Sequence, residues 1–150
     1  MQDLTQPGDA ALSEDERIAA NRAAIFAALT ADEVLRAIAS YTGSGDDGGP
    51  EGVRFELPDG GTLDEIPSAP QYRAASSWAD GAWHSKLVLE DKSLEDAITD
   101  LAMEIVERHF GGWENGDGAS GEVVFDATDG SVVIEHRAYF IDSEYSEVRL

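Results

Sequence analysis

The chain has no cysteine, two methionines, three histidines and only ten lysines and arginines in 150 residues. Without cysteine there can be no disulfide, no thiolate metal site and no cysteine nucleophile, which suits a reducing compartment. No apolar run approaches the ~18 residues of a membrane helix, and the N-terminus lacks a basic region followed by an apolar stretch. A cytoplasmic location is therefore expected. The scarcity of bases is the sharpest absence. Thirty-one Asp and Glu stand against those ten cations, leaving a formal net charge of −21. A compact domain of this length is very roughly 40 Å across, and B-DNA of that length carries about two dozen phosphates. A protein about as negative as an equal length of DNA is disfavoured from binding nucleic acid directly or adhering to anionic membranes. Basic protein partners or bound cations become the expected ligands.

What is present reads as a folded domain. Apolar residues make up 42%, with three Trp, four Tyr and five Phe, more than disordered acidic tails carry. Residues 1–12 show no periodicity and read as a flexible tail, followed by a single acidic α+β domain over 13–150. Ser13 and Glu16 form a capping box ahead of Ile18, Ile25, Phe26 and Leu29, predicting a helix over about 14–29. Thr30 and Glu33 repeat the box spacing and predict a short second helix or a sharp turn. A strand-like run from Arg36 to Tyr41 leads into Gly43-Ser44-Gly45-Asp46-Asp47-Gly48-Gly49-Pro50, read as a loop. Alternation at Val53, Phe55 and Leu57 then marks a partner strand.

Asp80-Gly81 predicts a two-residue hairpin turn, setting Trp78 opposite Trp83, Ala74 opposite Leu87 and Tyr72 opposite Leu89 on one face. Ser93 caps a helix whose apolar stripe is Leu94, Ile98, Leu101, Ala102, Ile105 and His109, ended by Gly111-Gly112. Asp129-Gly130 predicts a further two-residue hairpin. In that register Val123, Phe125 and Ala127 meet His136, Ile134 and Val132, and Glu122 faces Arg137. Asp142, Glu144, Tyr145 and Glu147 read as an edge strand or a tail. Together these elements predict an antiparallel sheet built from hairpins with helices packed on one face.

Three groups of residues could carry function. Asp96, Asp100, Glu104 and Glu107 form a ridge at i, i+4, i+8 and i+11, with no Lys or Arg interleaved. Such a ridge suits a basic partner surface, although a solvated helix face in an acidic protein has the same pattern. The Gly43–Gly48 loop offers Asp46 and Asp47 to a hard cation, but two carboxylates are few for Ca²⁺, and a simple hairpin connection needs only the glycines. In Gly111–Gly118, Glu114, Asn115 and Asp117 offer oxygen ligands without the spacing of an EF-hand; Trp113 would be a contact residue if exposed, but a plug of the core under the helix end is the plainer reading. His109 and His136 fall on expected core faces, where a hydrogen-bonded structural role is the plainer account. His84 falls on the opposite face of the Trp hairpin. No nucleophile elbow, triad order or metal-ligand spacing stands out, so the chain reads as a binding protein needing no cofactor rather than as an enzyme. The alternative is a cation site, ligand site or enzyme built from the two glycine-acid loops.

Tyr41-Thr42-Gly43-Ser44-Gly45-Asp46, Gly112-Trp113-Glu114-Asn115, Gly118, Gly121-Glu122-Val123, Glu135-His136-Arg137 and Glu144-Tyr145-Ser146 together resemble a bacterial family of uncharacterised domains. Its members carry GSGDSG and GWENN-G loops, and the likeness spans about residues 18–148. Asp47 stands where the family has Ser, and Gly116 where it has Asn. The resemblance implies an accessory role on mobile elements, in conjugation, defence or anti-defence. Combined with the charge, it suggests a protein that imitates nucleic acid.

Overall fold

The computed structural model describes residues 13–44, 47–112, 118–139 and 143–150, so the expected tail over 1–12 lies outside the described residues. The first helix, α1 (Glu14–Ala31), begins at the capping box: Glu16 N–H donates to Ser13 Oγ at 3.1 Å, and Ser13 N–H donates to Glu16 Oε1 at 2.8 Å. Its end explains the Thr30/Glu33 spacing. Glu33 N–H donates to Thr30 O at 3.1 Å and Val34 N–H to Leu29 O at 2.9 Å, with Glu33 at φ 60°. This is a Schellman motif with Glu33 in the left-handed position usually held by glycine. Buried Leu29 and Val34 supply the apolar contact that accompanies it. The outcome is the sharp turn, not a second helix.

The chain continues through β1 (Arg36–Ser44), β2 (Asp47–Glu56), β3 (Ser68–Ala79), β4 (Ala82–Ser93), helix α2 (Leu94–His109), β5 (Ala119–Asp126), β6 (Ser131–Tyr139) and β7 (Ser143–Arg149). Five strands form an antiparallel sheet in the order β2-β1-β5-β6-β7. The expected α+β architecture is therefore present. The strands run further into the glycine-rich segment than its composition suggests, since Thr42 pairs with Gly49, Gly43 with Gly48 and Ser44 with Asp47. Pro50 is tolerated because β2 is an edge strand, where a missing N–H need not break a ladder. The last strand, β7, is the other edge.

Register aligns the core. Ala37, Phe125 and Val132 form one row across β1, β5 and β6, and Ala39, Val123 and Ile134 the next. A third row holds Tyr41, Gly121 and His136. Onto this face pack Ile25 and Leu29 of α1 and Leu94, Ile98, Leu101, Ala102 and Ile105 of α2, all buried. Each large apolar side chain contributes about 1.5–3 kcal/mol on burial. The β5–β6 register differs by two residues from the two-residue turn expected at Asp129-Gly130. Asp126 Oδ1 accepts from Thr128 N–H at 2.9 Å, and Gly130 N–H donates to Asp126 O at 2.8 Å, closing a four-residue turn over 127–130. Hence Glu122 faces Glu135 rather than Arg137, which pairs with Ser120. The opposite-charge match is absent because the Asp126 carboxylate tightens the turn earlier.

The Trp hairpin has the expected register but stands apart as a two-stranded ribbon. Asp80 at φ 53° and Gly81 at φ 80° give the primed turn that matches strand twist. Asn21 of α1 grips the ribbon: its Oδ1 accepts from Tyr72 N–H at 2.7 Å and its Nδ2 donates to Tyr72 O at 3.1 Å. Gln71 Nε2 donates to Asn21 O at 3.1 Å. A buried amide thus takes the place of a neighbouring strand, satisfying backbone groups that burial would leave costly.

Candidate functional site

The four ridge carboxylates all lie on α2, whose opposite stripe is buried. Neighbouring elements compensate the middle of the ridge. Lys92 of β4 pairs with Asp100, and Arg17 of α1 pairs with Glu104, its Nη1 donating to Oε1 at 3.2 Å. The Arg17–Glu104 pair is only 17% and 29% exposed, and the carboxylate holds the guanidinium pKa above its ordinary value. Both acids line a groove of about 260 Å³ together with Arg17, Arg73 and Lys92. Glu107 Oε2 accepts from Gly112 N–H at 3.1 Å, capping the turn after α2. Asp96 is exposed and has no cationic partner among the described residues. The ridge is therefore a mixed-charge seam in its centre, with Asp96 open at its N-terminal end and Glu107 bonded to backbone at its C-terminal end.

His109, expected in the apolar stripe, is exposed. The buried stripe continues instead through Ala97 and Val106, turning the last helical residue towards solvent. His109 lines a depression of about 380 Å³ with Arg22 and Arg108 over Leu101, Ile105 and Val132.

Asp46, Trp113, Glu114, Asn115 and Asp117 lie outside the described residues; of Asp47 only the backbone, opposite Ser44, is described. The segments flanking the two loops are nevertheless neighbours. Gly43, which enters the first, stands opposite Ala119, which follows the second. Both segments leave the same end of the five-stranded sheet.

Beneath that end sits the third core row. Tyr41 and His136 are 1% and 4% exposed, and the Tyr41 hydroxyl lies 2.6 Å from His136 Nδ1 in a hydrogen bond. The phenol reaches across the intervening strand because residue 121 is glycine. A Cβ there would stand 2.5 Å from the Tyr41 hydroxyl oxygen and 2.3 Å from Glu135 O. Phe110, just before Gly111-Gly112, stacks on the imidazole with centroids 3.9 Å apart and planes at 14°. Burial pushes the Tyr41 phenol pKa up and the His136 imidazole pKa down. The pair is thus held neutral, able to fix the sheet end and helix end on which both loops are mounted. Sequence reasoning placed His136 in the core but missed Tyr41 as its partner. A lone glycine inside a strand signals close approach, yet the register slip put Val123 opposite His136 instead of Gly121.

Among the described residues, no group of three or more His, Cys, Asp or Glu could hold a metal ion. None of the helices among the described residues is long and apolar enough to cross a membrane. Residues 17–150 match the model of a family of unknown function, DUF6878, and the chain belongs to that family. No curated protein and no solved structure matches it.

Proposed function

We propose that this member of the DUF6878 family is a small acidic interaction protein that binds a basic protein surface. The observation that carries the reading is the disposition of charge. Among the described residues, at least seven of the ten cations form ion pairs with carboxylates of the same chain, while most of the 31 acids have no such partner there. Asp32, Asp64 and Glu65 line an open groove of about 540 Å³ with no cation in its lining. Lys or Arg side chains of a partner would neutralise these groups, and Asp96 offers a further contact. A surface that ordinarily receives phosphates fits this field, so the finer reading is imitation of nucleic acid in an anti-defence or other mobile-element role. Association of this kind weakens steeply with salt. Affinity capture at low and high salt tests it, with nucleic acid added as competitor. The expected result is a basic partner retained at low salt, released by salt and displaced by DNA. Recovery of no basic partner at low salt would overturn the proposal.

A second reading, a ligand or cation site formed by the two glycine-acid loops, is supported by the pairing of Gly43 with Ala119 above the Tyr41–His136 pair. It predicts that millimolar Ca²⁺ raises the melting temperature beyond a control of matched ionic strength, and that Asp46→Asn with Glu114→Gln abolishes the difference. Equal responses to Ca²⁺ and matched monovalent salt would remove the cation form of this reading.

A further inference from the structure

The β3–β4 ribbon has two unlike faces. Tyr72 exchanges both backbone groups with Asn21, so they point away from β4 and the Tyr72–Leu89 pair is a non-hydrogen-bonded one. Counting by twos along the ladder, Ala74–Leu87 and Trp78–Trp83 are pairs of the same kind, with side chains at their closest approach. The two indoles meet edge to face, with centroids 5.5 Å apart and planes at 72°. The opposite face begins with buried Ala69 and Gln71, turned towards the body of the protein. The aromatic face is consequently directed outward. Trp78, Trp83 and Leu89 are 60%, 70% and 57% exposed.

The ribbon itself carries none of the molecule's net charge. Residues 68–93 carry Arg73, Lys86 and Lys92 against Asp80, Glu90 and Asp91, a net of zero in a chain of −21. Along the ladder the only charged residue on the aromatic side is Asp91, opposite Pro70 at the root. We propose that two copies of this chain associate through the aromatic faces of their ribbons. A neutral, self-complementary surface is where two strongly negative molecules can meet without placing carboxylates against each other, and a two-fold contact suits identical patches. Scaling typical side-chain areas by exposure gives roughly 400 Å² per copy from Trp78, Trp83 and Leu89, or about 800 Å² buried in total, the size of a weak, reversible interface. Trp and Tyr are the residues that most often dominate such contacts.

Salt gives the proposal a distinct sign. Screening relieves repulsion between the two bodies, so this dimer tightens as salt rises, whereas capture of a basic partner weakens. Sedimentation equilibrium of the full chain at low and high salt is the test, with Leu89→Glu and Trp78→Ser/Trp83→Ser as variants. Leu89→Glu leaves the indole pair intact, and near-ultraviolet dichroism confirms that its ribbon is formed. The expected result is a wild-type dimer whose dissociation constant falls with salt and rises at least tenfold in Leu89→Glu and in the double Trp variant. A monomer at every salt and concentration would overturn the proposal, as would a dimer that weakens with salt or ignores both variants.

Discussion

The hydrogen bond between Tyr41 and His136 can be weighed by a double-mutant cycle. Tyr41→Phe removes one hydroxyl and keeps the ring, leaving Nδ1 of a 4% exposed imidazole without its 2.6 Å partner. A buried polar group stripped of its partner costs about 1–3 kcal/mol, and at 2–4 °C per kcal/mol for a domain of this size the melting temperature falls by about 4–8 °C for a mid-range ~2 kcal/mol. His136→Leu removes the imidazole end of the bond instead and loses the stack on Phe110, another ~0.5–1.5 kcal/mol. The double variant removes both polar ends together, so its cost falls short of the sum by about 1–2 kcal/mol. The same pair has a pH signature. Burial lowers the folded pKa of His136 below its unfolded value of 6.5, so the unfolded state binds the proton more readily. The stability is present above pH 6.5 and is lost as pH falls below it towards the folded pKa. His136→Leu lacks that loss. Urea denaturation of the four proteins above and below pH 6.5 measures both effects. Additive single costs, or a wild-type acid limb identical to that of His136→Leu, would refute the account.

Other substitutions probe the supports of this fold. Glu33→Gly relieves a left-handed residue and removes a negative charge from a helix C-terminus; against the added flexibility of the unfolded chain the net gain is about 1 kcal/mol, or about 2–4 °C. Glu33→Gln, which changes charge alone, should give only a few tenths of that by thermal melting. Gly121→Ala drives a Cβ to 2.3 Å from Glu135 O and should cost about 3 kcal/mol or more in urea melts; Tyr41→Phe should not rescue it, because that contact is with the backbone of β6. Asn21→Ala should cost about 2 kcal/mol for the two bonds to Tyr72, and hydrogen exchange at the Tyr72 amide should accelerate more than exchange in β5.

The same dipeptide shows how far local chemistry carries and where it stops. Asp80-Gly81 and Asp129-Gly130 have identical signals for a two-residue hairpin. The first makes one because both residues take positive φ. At the second, only Gly130 does, at φ 73°, because the Asp126 side chain has already turned the chain through Thr128. A side-chain acceptor three residues upstream outweighed the turn dipeptide and moved the register by two. Helix boundaries were legible because Ser13, Ser93 and the apolar spacing act within one turn. The spacing also predicted His109 inward, but the buried stripe runs through Ala97 and Val106 and leaves the final helical residue exposed. The separate ribbon was not legible, since its attachment depends on Asn21, which is 51 residues from Tyr72 in sequence.

The acidic ridge fails as a free surface for a related reason. Periodicity finds neighbours on the same helix, and on α2 the one basic residue at that spacing is Arg108, four residues after Glu104 and paired with Asp15 of α1. The cations that answer them arrive from elsewhere: Lys92 is eight residues from Asp100, and Arg17 is 87 from Glu104. Scarce cations in this chain join elements. Arg17 and Arg108 link α1 to α2, Lys92 links β4 to α2, and Arg22 donates to Gly130 O in the β5–β6 turn at 2.8 Å. The exposed pairs contribute little singly, whereas Arg17–Glu104, set between two helices, is better shielded. A basic partner approaching the centre of α2 would have to displace these internal cations, and the approach gains little charge neutralisation in exchange. At the groove of Asp32, Asp64 and Glu65 no cation stands in the lining among the described residues. The strength of an acidic surface is set by the carboxylates that the fold leaves unanswered, and three of these, Asp32, Asp64 and Glu65, line one groove between the C-terminal end of α1 and the segment that follows β2.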